Sequence, residues 1–319
     1  MKLGLSRITV IMSLLQIAIY FAVILFVVTV TAKMIRIARM PVHLRWDLYP
    51  IPHEGKRGRY GGSYYEEVNW WTKPRRFSLI SDVKEVAREI IFIQSLFRHN
   101  RSLWFFSFPF HFGMYCLIGL GAMLTIRAVW GVPGETAAAL LTATDRIADY
   151  VIVILGSIGW ILGIFGAAGL FFSRLINPQL RTASVRADYF NLVILLTLFI
   201  AGLISHLAVD PSYSILQRFI ADLIRFQPAV LPPAAVTAEL WLTVIVMLYL
   251  PFTHLTHFIG KYFTYHRVRW EDHPNIRGSK IEKAVTQALG KQLTWKATHI
   301  KQGGTWADAA TEDTSRDAQ

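Results

Sequence analysis

The chain has 319 residues, of which 53% are hydrophobic and only 17% charged, more apolar surface than a soluble core of this size hides, so the natural solvent is a bilayer. Its single cysteine, Cys116, excludes an internal disulfide and any iron–sulfur cluster or thiolate zinc site built by this chain alone. The net charge of +12 comes from cations lying between apolar runs, with no nucleic-acid motif beside them, and we read no nucleic-acid partner.

Five stretches are long enough to cross about 30 Å of hydrocarbon. They run approximately 8–32, 103–126, 150–172, 189–209 and 240–259. The predicted fold is therefore all-α, an integral membrane bundle of five transmembrane helices. Of the Lys and Arg residues outside the spans, 27 fall on one side and 6 on the other. The positive-inside rule then puts the N-terminus outside, the C-terminus in the cytoplasm and the chain in the cytoplasmic (inner) membrane. The expected divisions are a first anchor over 1–32, a cytoplasmic docking loop over 33–102, a four-helix membrane core over 103–260 and a cytoplasmic tail over 261–319. The first span is read as a retained anchor because its apolar run exceeds that of a usual signal peptide.

Within the long first loop, Val83, Val86, Ile90, Ile93 and Phe97 recur at helical spacing after Ser81 as N-cap. This amphipathic helix suits either the membrane surface or a partner subunit. The tail leaves the last span through KYFTYHRVRW, and its polar end from about Gln302 is expected to lack fixed structure.

Ionisable or ligating side chains inside a span are costly and so point to function. The second span holds His111, the fourth His206 and the fifth His254 and His257. A haem b held between helices needs two imidazoles at one depth. Counting from the cytoplasmic ends puts His111 about 12 Å deep, His254 about 8 Å and His257 about 3 Å, so one haem bridged by His111 and one of the other two is reasonable. The bland alternative is interhelical hydrogen bonding. Pro251, three residues before His254, is expected to kink the fifth helix. Gly156, Gly159, Gly163 and Gly166 make one smooth face on the third span, suited to close helix packing or to a porphyrin plane, with packing the commoner cause.

His206 falls roughly 26 Å from the inner surface. There it either ligates a second haem or serves as proton acceptor at a quinone site with Arg127, Glu239 and Asp210. No hydrolase triad, phosphate loop, zinc-protease motif or transporter repeat is visible.

These residues carry a resemblance. PFHFGMYCLIGLG, with His111, and YLPFTHLTHFIG, with His257, resemble the second- and fifth-helix motifs of the membrane cytochrome b gamma subunit of respiratory nitrate reductase and its relatives. The resemblance implies that His111 and His257 are axial ligands, whereas depth counting favours His254. WDLYPIPHE, GGSYYEE, WWTKP and KYFTYHRVRW make the chain most similar to the cytochrome b subunits of heterodisulfide-reductase-like and sulfate-respiration complexes. That implies one or two haems b, and a non-catalytic or quinone-reacting subunit of an oxidoreductase complex. Such a subunit passes electrons between a menaquinone-type carrier and a cytoplasmic iron–sulfur subunit of heterodisulfide-reductase type. One departure stands out: the positions of that pattern's outer-haem histidines are Gly121 and Glu239 here. The rival expectation is a haem-free membrane anchor of a redox complex.

Overall fold

The structure, a computed structural model, describes residues 2–40, 52, 54, 67–74, 78–130, 143–269, 275–297, 300 and 302–311. Twelve α-helices are assigned there: α1 Lys2–Ala38, α2 Leu79–Phe92, α3 Gln94–His99, α4 Arg101–Trp130, α5 Ala143–Ile176, α6 Pro178–Ala183, α7 Arg186–Ala208, α8 Ser214–Ile224, α9 Ala234–Tyr249, α10 His257–Phe263, α11 Lys280–Leu289 and α12 Trp306–Thr311. Five segments are long and apolar enough to cross a membrane: Leu14–Ala38, Arg101–Trp130, Thr144–Ile176, Arg186–Ala208 and Ala234–Phe252. The all-helical, five-span expectation therefore holds, and the protein is a multi-pass membrane protein. Most of the aromatic loop motifs between 46 and 66, and residues 312–319, lie outside the described residues.

The chain divides into two compact units. The first, Met1–Val28 with Val86–Thr253, is the membrane bundle. In it α4 packs on α5, α5 on α7, α7 on α9, and the short α8 returns against α4. Glycines on α5 set the α4–α5 distance. A Cβ on Gly113 would lie 2.6 Å from the Gly163 nitrogen and 2.9 Å from the Gly159 carbonyl oxygen. Gly166 meets the backbone of Phe110, and Gly169 the ring of Phe106. The glycine face thus serves helix packing, with backbone approach at Gly113 and Gly166, while Gly156 and Gly163 receive the side chains of Tyr213 and Phe199. α1 is the least buried span. Its Tyr20 hydroxyl donates to the Leu223 carbonyl and its Gln16 amide to the Gln227 carbonyl, while Phe21, Ile24 and Val28 stay exposed as a lipid-facing surface does.

The predicted amphipathic helix begins earlier than expected. Ser81 lies inside the first turn of α2, and the Asp82 amide donates to the Ser78 carbonyl. The helix is also interrupted: Ile93 takes a left-handed φ of 49° and starts a separate α3. Tyr115 and Trp104 of α4 donate to the carbonyls of Ile90 and Phe92, tying the end of α2 to the bundle.

The fifth span departs most from expectation. α9 stops at Tyr249, and two 3-10 turns, Leu250–Phe252 and His254–Thr256, precede α10. Pro251 cannot donate to a carbonyl one turn back, so the helix breaks rather than bends. The segment long and apolar enough to cross a membrane runs Ala234–Phe252, and His254 and His257 follow it in the chain.

The second unit, Thr29–Glu85 with His254–Gln319, contains those two histidines. In it Lys33 donates to Thr256 at 2.5 Å and His266 Nε2 pairs with Asp82 at 3.1 Å. Within the segment from Gln302, expected to lack fixed structure, Trp306–Thr311 forms α12. The Leu293 amide donates to Gly304, the Trp306 amide to Lys291, and Trp306 packs edge-on against Trp295. Leu293 is buried beneath them, and that apolar contact is what the polar composition concealed.

Candidate functional site

His111 stands on α4 ten residues after Arg101, about 15 Å along the helix. Its Nδ1 lies 2.7 Å from the Ser107 carbonyl, one turn back. A backbone carbonyl accepts only, so the bond puts the ring proton on Nδ1 and makes Nε2 the lone-pair nitrogen. This is the arrangement in which imidazoles ligate metals, the second nitrogen being oriented by a carbonyl or carboxylate. The donor set therefore fits a haem iron ligand.

In the second unit, His257 opens α10 and is hydrogen-bonded to the His254 backbone. Burial holds its imidazole below the ordinary histidine value. That favours the neutral form, the one able to ligate iron. Among the described residues no group of three or more His, Cys, Asp or Glu side chains forms a metal site, and a haem with two imidazoles requires none.

A buried polar cluster lies in the bundle around His206, which is 5% exposed. Its Nε2 is 3.1 Å from Ser157 Oγ on α5, and its Nδ1 is 3.3 Å from the Asp210 carbonyl. Its ring stacks on Tyr213, with centroids 4.3 Å apart. The Tyr213 hydroxyl accepts from Trp160 Nε1 at 3.0 Å. Burial pushes this phenol up from its ordinary value, so it stays protonated and is itself a donor. On α9, Glu239 accepts from Ser205 and lies within electrostatic reach of Asp210 and Tyr213.

The carboxylate of Asp210 has a structural task. It accepts from the Leu216 amide at 2.9 Å and from Ser214 at 3.3 Å, satisfying the start of α8. Tyr213 sits in the left-handed region, φ 57°, a backbone state that bulky residues adopt only when their surroundings hold them.

Of the four residues expected around a quinone site, three converge and one does not. His206, Asp210 and Glu239 share the cluster. Arg127 is buried elsewhere on α4, pairing with Asp145 at 2.5 Å and Asp149 at 3.2 Å. Gly119 faces Leu155 of α5, so Arg127 stands about 12 Å further along α4. Gly121 is on an open face, with nothing within 4 Å of a Cβ built there. Ser157, Trp160, Ser205 and Tyr213 complete the cluster without having been anticipated. The only sequence signal for them is the notch at Gly156, which receives the Tyr213 hydroxyl.

Residues 93–271 match the nitrate reductase gamma subunit family, a stretch containing His111, His206, His254 and His257. Over 173 residues the chain is 23% identical to an Hdr-like menaquinol oxidoreductase cytochrome b-like subunit of Archaeoglobus profundus. That alignment covers 52% of this chain, and the chain spans about half the length of that relative, 49%. No solved structure matches the chain.

Proposed function

This chain belongs to the nitrate reductase gamma subunit family, and from that premise we propose that it is the haem b subunit of a respiratory complex in the cytoplasmic membrane. It exchanges electrons between a menaquinone-type carrier and a cytoplasmic iron–sulfur subunit of heterodisulfide-reductase type. The observation that carries the reading is His111. It lies in the family-matching region on a membrane-spanning helix, with Nδ1 held by a backbone carbonyl and Nε2 turned into the ligating nitrogen. His257 is the partner ligand by motif, with His254 as the alternate. The haem, when bound, supplies one-electron carriage.

The cluster around His206 is the quinone-side site. Oxidation of a hydroquinone releases two protons with its two electrons, and imidazole and carboxylate side chains accept protons. His206 and Glu239 take that role, while Tyr213 and Trp160 orient the imidazole. The engagement of both His206 nitrogens with protein oxygens supports this over ligation of a second haem. Arg127 belongs to a separate ion-paired site. With the N-terminus outside, as the cation distribution favours, protons leave on the outer side while electrons pass inward.

A reduced-minus-oxidised visible spectrum of the purified protein tests the proposal. A b-type α band that hydroquinone can generate is expected, and its absence would leave a haem-free anchor. Tag-specific labelling of the C-terminus in intact cells tests the orientation, which is wrong if the tag is reached from outside.

A further inference from the structure

Where α4 begins and α5 ends, the bundle carries a cleft of about 440 Å³, with Asn100, Ser102 and Phe106 on one side and Phe172, Ser173 and Asn177 on the other. Its size is that of a small-molecule site. Its floor is aromatic and aliphatic, and its polar groups gather near the helix ends. Asn100 Oδ1 is taken by the Leu103 amide, and Asn177 Oδ1 by the amides of Gln179 and Leu180. Among the described residues neither carboxamide donates through its N–H groups, the half suited to an acceptor on a ligand.

The chain segments flanking the cleft are rich in cations, Arg101 lying over the Phe97 ring and Arg174 donating through Nη1 to Ser184 Oγ. The segments that build it carry Arg98, Arg101, Arg174, Arg181 and Arg186 against a single acid, Asp188, which accepts from the Val185 amide. Arg174 follows the lining residue Ser173, and its Nε is buried with no hydrogen-bond partner among the described residues. No titratable side chain lines the cleft. That argues against a quinone, whose reduction needs a proton donor at its oxygens. A ligand with a fixed negative charge and an apolar tail meets every requirement.

We propose that this cleft binds one anionic phospholipid, its phosphate held by Asn100, Ser102 and Asn177 under the arginines and an acyl chain lying along Leu103, Phe106, Phe172 and Ile176. A basic pocket between transmembrane helices at the membrane surface is the physical setting in which headgroups are retained. The site is independent of the haem and quinone reading.

Native mass spectrometry of the detergent-purified chain, titrated with phosphatidylglycerol or phosphatidylcholine, tests it. One saturable phosphatidylglycerol per chain is expected, bound at least about fivefold more tightly than phosphatidylcholine. The exposed double variant R101Q/R181Q should weaken phosphatidylglycerol by roughly 25-fold, each cation being worth about fivefold near a membrane surface. Leu103→Trp, which narrows the cleft where the acyl chain would lie, should remove the bound lipid while thermal unfolding shows the bundle intact. Equal binding of the two lipids, unchanged binding in the double variant, or displacement of the lipid by inorganic phosphate alone would each overturn the proposal.

Discussion

The hydroxyl of Tyr213 occupies the notch that Gly156 leaves on α5 and there accepts the Trp160 indole N–H, while the ring stacks on His206. A methyl at Gly156 would collide with that hydroxyl and with the ring carbons behind it. Tyr213 is 2% exposed and has no open side to retreat into. Gly156→Ala is therefore expected to cost about 1–3 kcal/mol by overpacking and to slow hydroquinone-driven haem reduction. Tyr213→Phe keeps the stack and removes one bond, leaving the Trp160 N–H without its acceptor at about 1–2 kcal/mol. Thermal unfolding in detergent ranks the two, and equal wild-type stability for both would refute the lock.

The glycines of α4 predict opposite outcomes within one helix. Gly113 faces backbone atoms of Gly159 and Gly163 at 2.6–2.9 Å, and backbone cannot rotate aside. Gly113→Ala must push α4 from α5 and should lower stability by about 2–3 kcal/mol. Gly121→Ala meets nothing and should be neutral or stabilising by about 1 kcal/mol through helix propensity. Unfolding of the two variants in the same detergent would contradict the packing account if the order were reversed.

The five spans were legible because long apolar runs leave few alternatives in a bilayer. Their ends were less so, since the helices extend beyond the apolar runs into residues such as Arg101 and Arg186. Pro251 was readable as a disturbance, but whether the chain would kink or stop depended on what packs beside it. Counting rise along one continuous helix does not carry to His254 across the break after Tyr249. Chain order puts Arg127 toward the same bundle end as Glu239 and Asp210, whereas rise along α4 and the acids at Asp145 and Asp149 decide its partners. Tyr213 left almost no trace. Its partners are 53 residues away on α5 and seven away on α7, and its turn is held by the Asp210 carboxylate.

The haem assignment separates residues only one turn apart. His111→Ala is expected to lose the α band and leave the five helices inserted. Ser107→Ala should keep the band, because the short bond to His111 is made by the Ser107 carbonyl at 2.7 Å and not by its hydroxyl at 3.4 Å. By motif, His257→Ala loses the haem and His254→Ala retains it. Haem content by pyridine haemochrome, measured on equal amounts of folded protein, decides each case. The opposite result for the last two would hand the ligand role to His254.

Arg127 supplies the sharpest electrostatic contrast. Its side chain is 8% exposed, and the two acids it meets differ: Asp145 is 26% exposed at 2.5 Å, Asp149 40% exposed at 3.2 Å. Coulomb attraction grows with shorter separation and lower local dielectric, so the Asp145 bond should carry most of the pairing. Asp149→Asn should cost no more than about 0.5 kcal/mol, within the range of solvent-screened pairs. Asp145→Asn should cost about 1–2 kcal/mol, because it leaves a buried guanidinium with only the weaker partner. Arg127→Met removes the buried charge altogether and fills similar volume. It is expected to be milder than Asp145→Asn, since two part-exposed acids can turn to water while a buried cation cannot. Added salt should shrink the Asp149 effect more than the Asp145 effect. Unfolding of the three variants at low and high ionic strength tests the series. A larger loss for Arg127→Met than for Asp145→Asn would mean that the guanidinium holds the two helices together directly rather than merely requiring compensation.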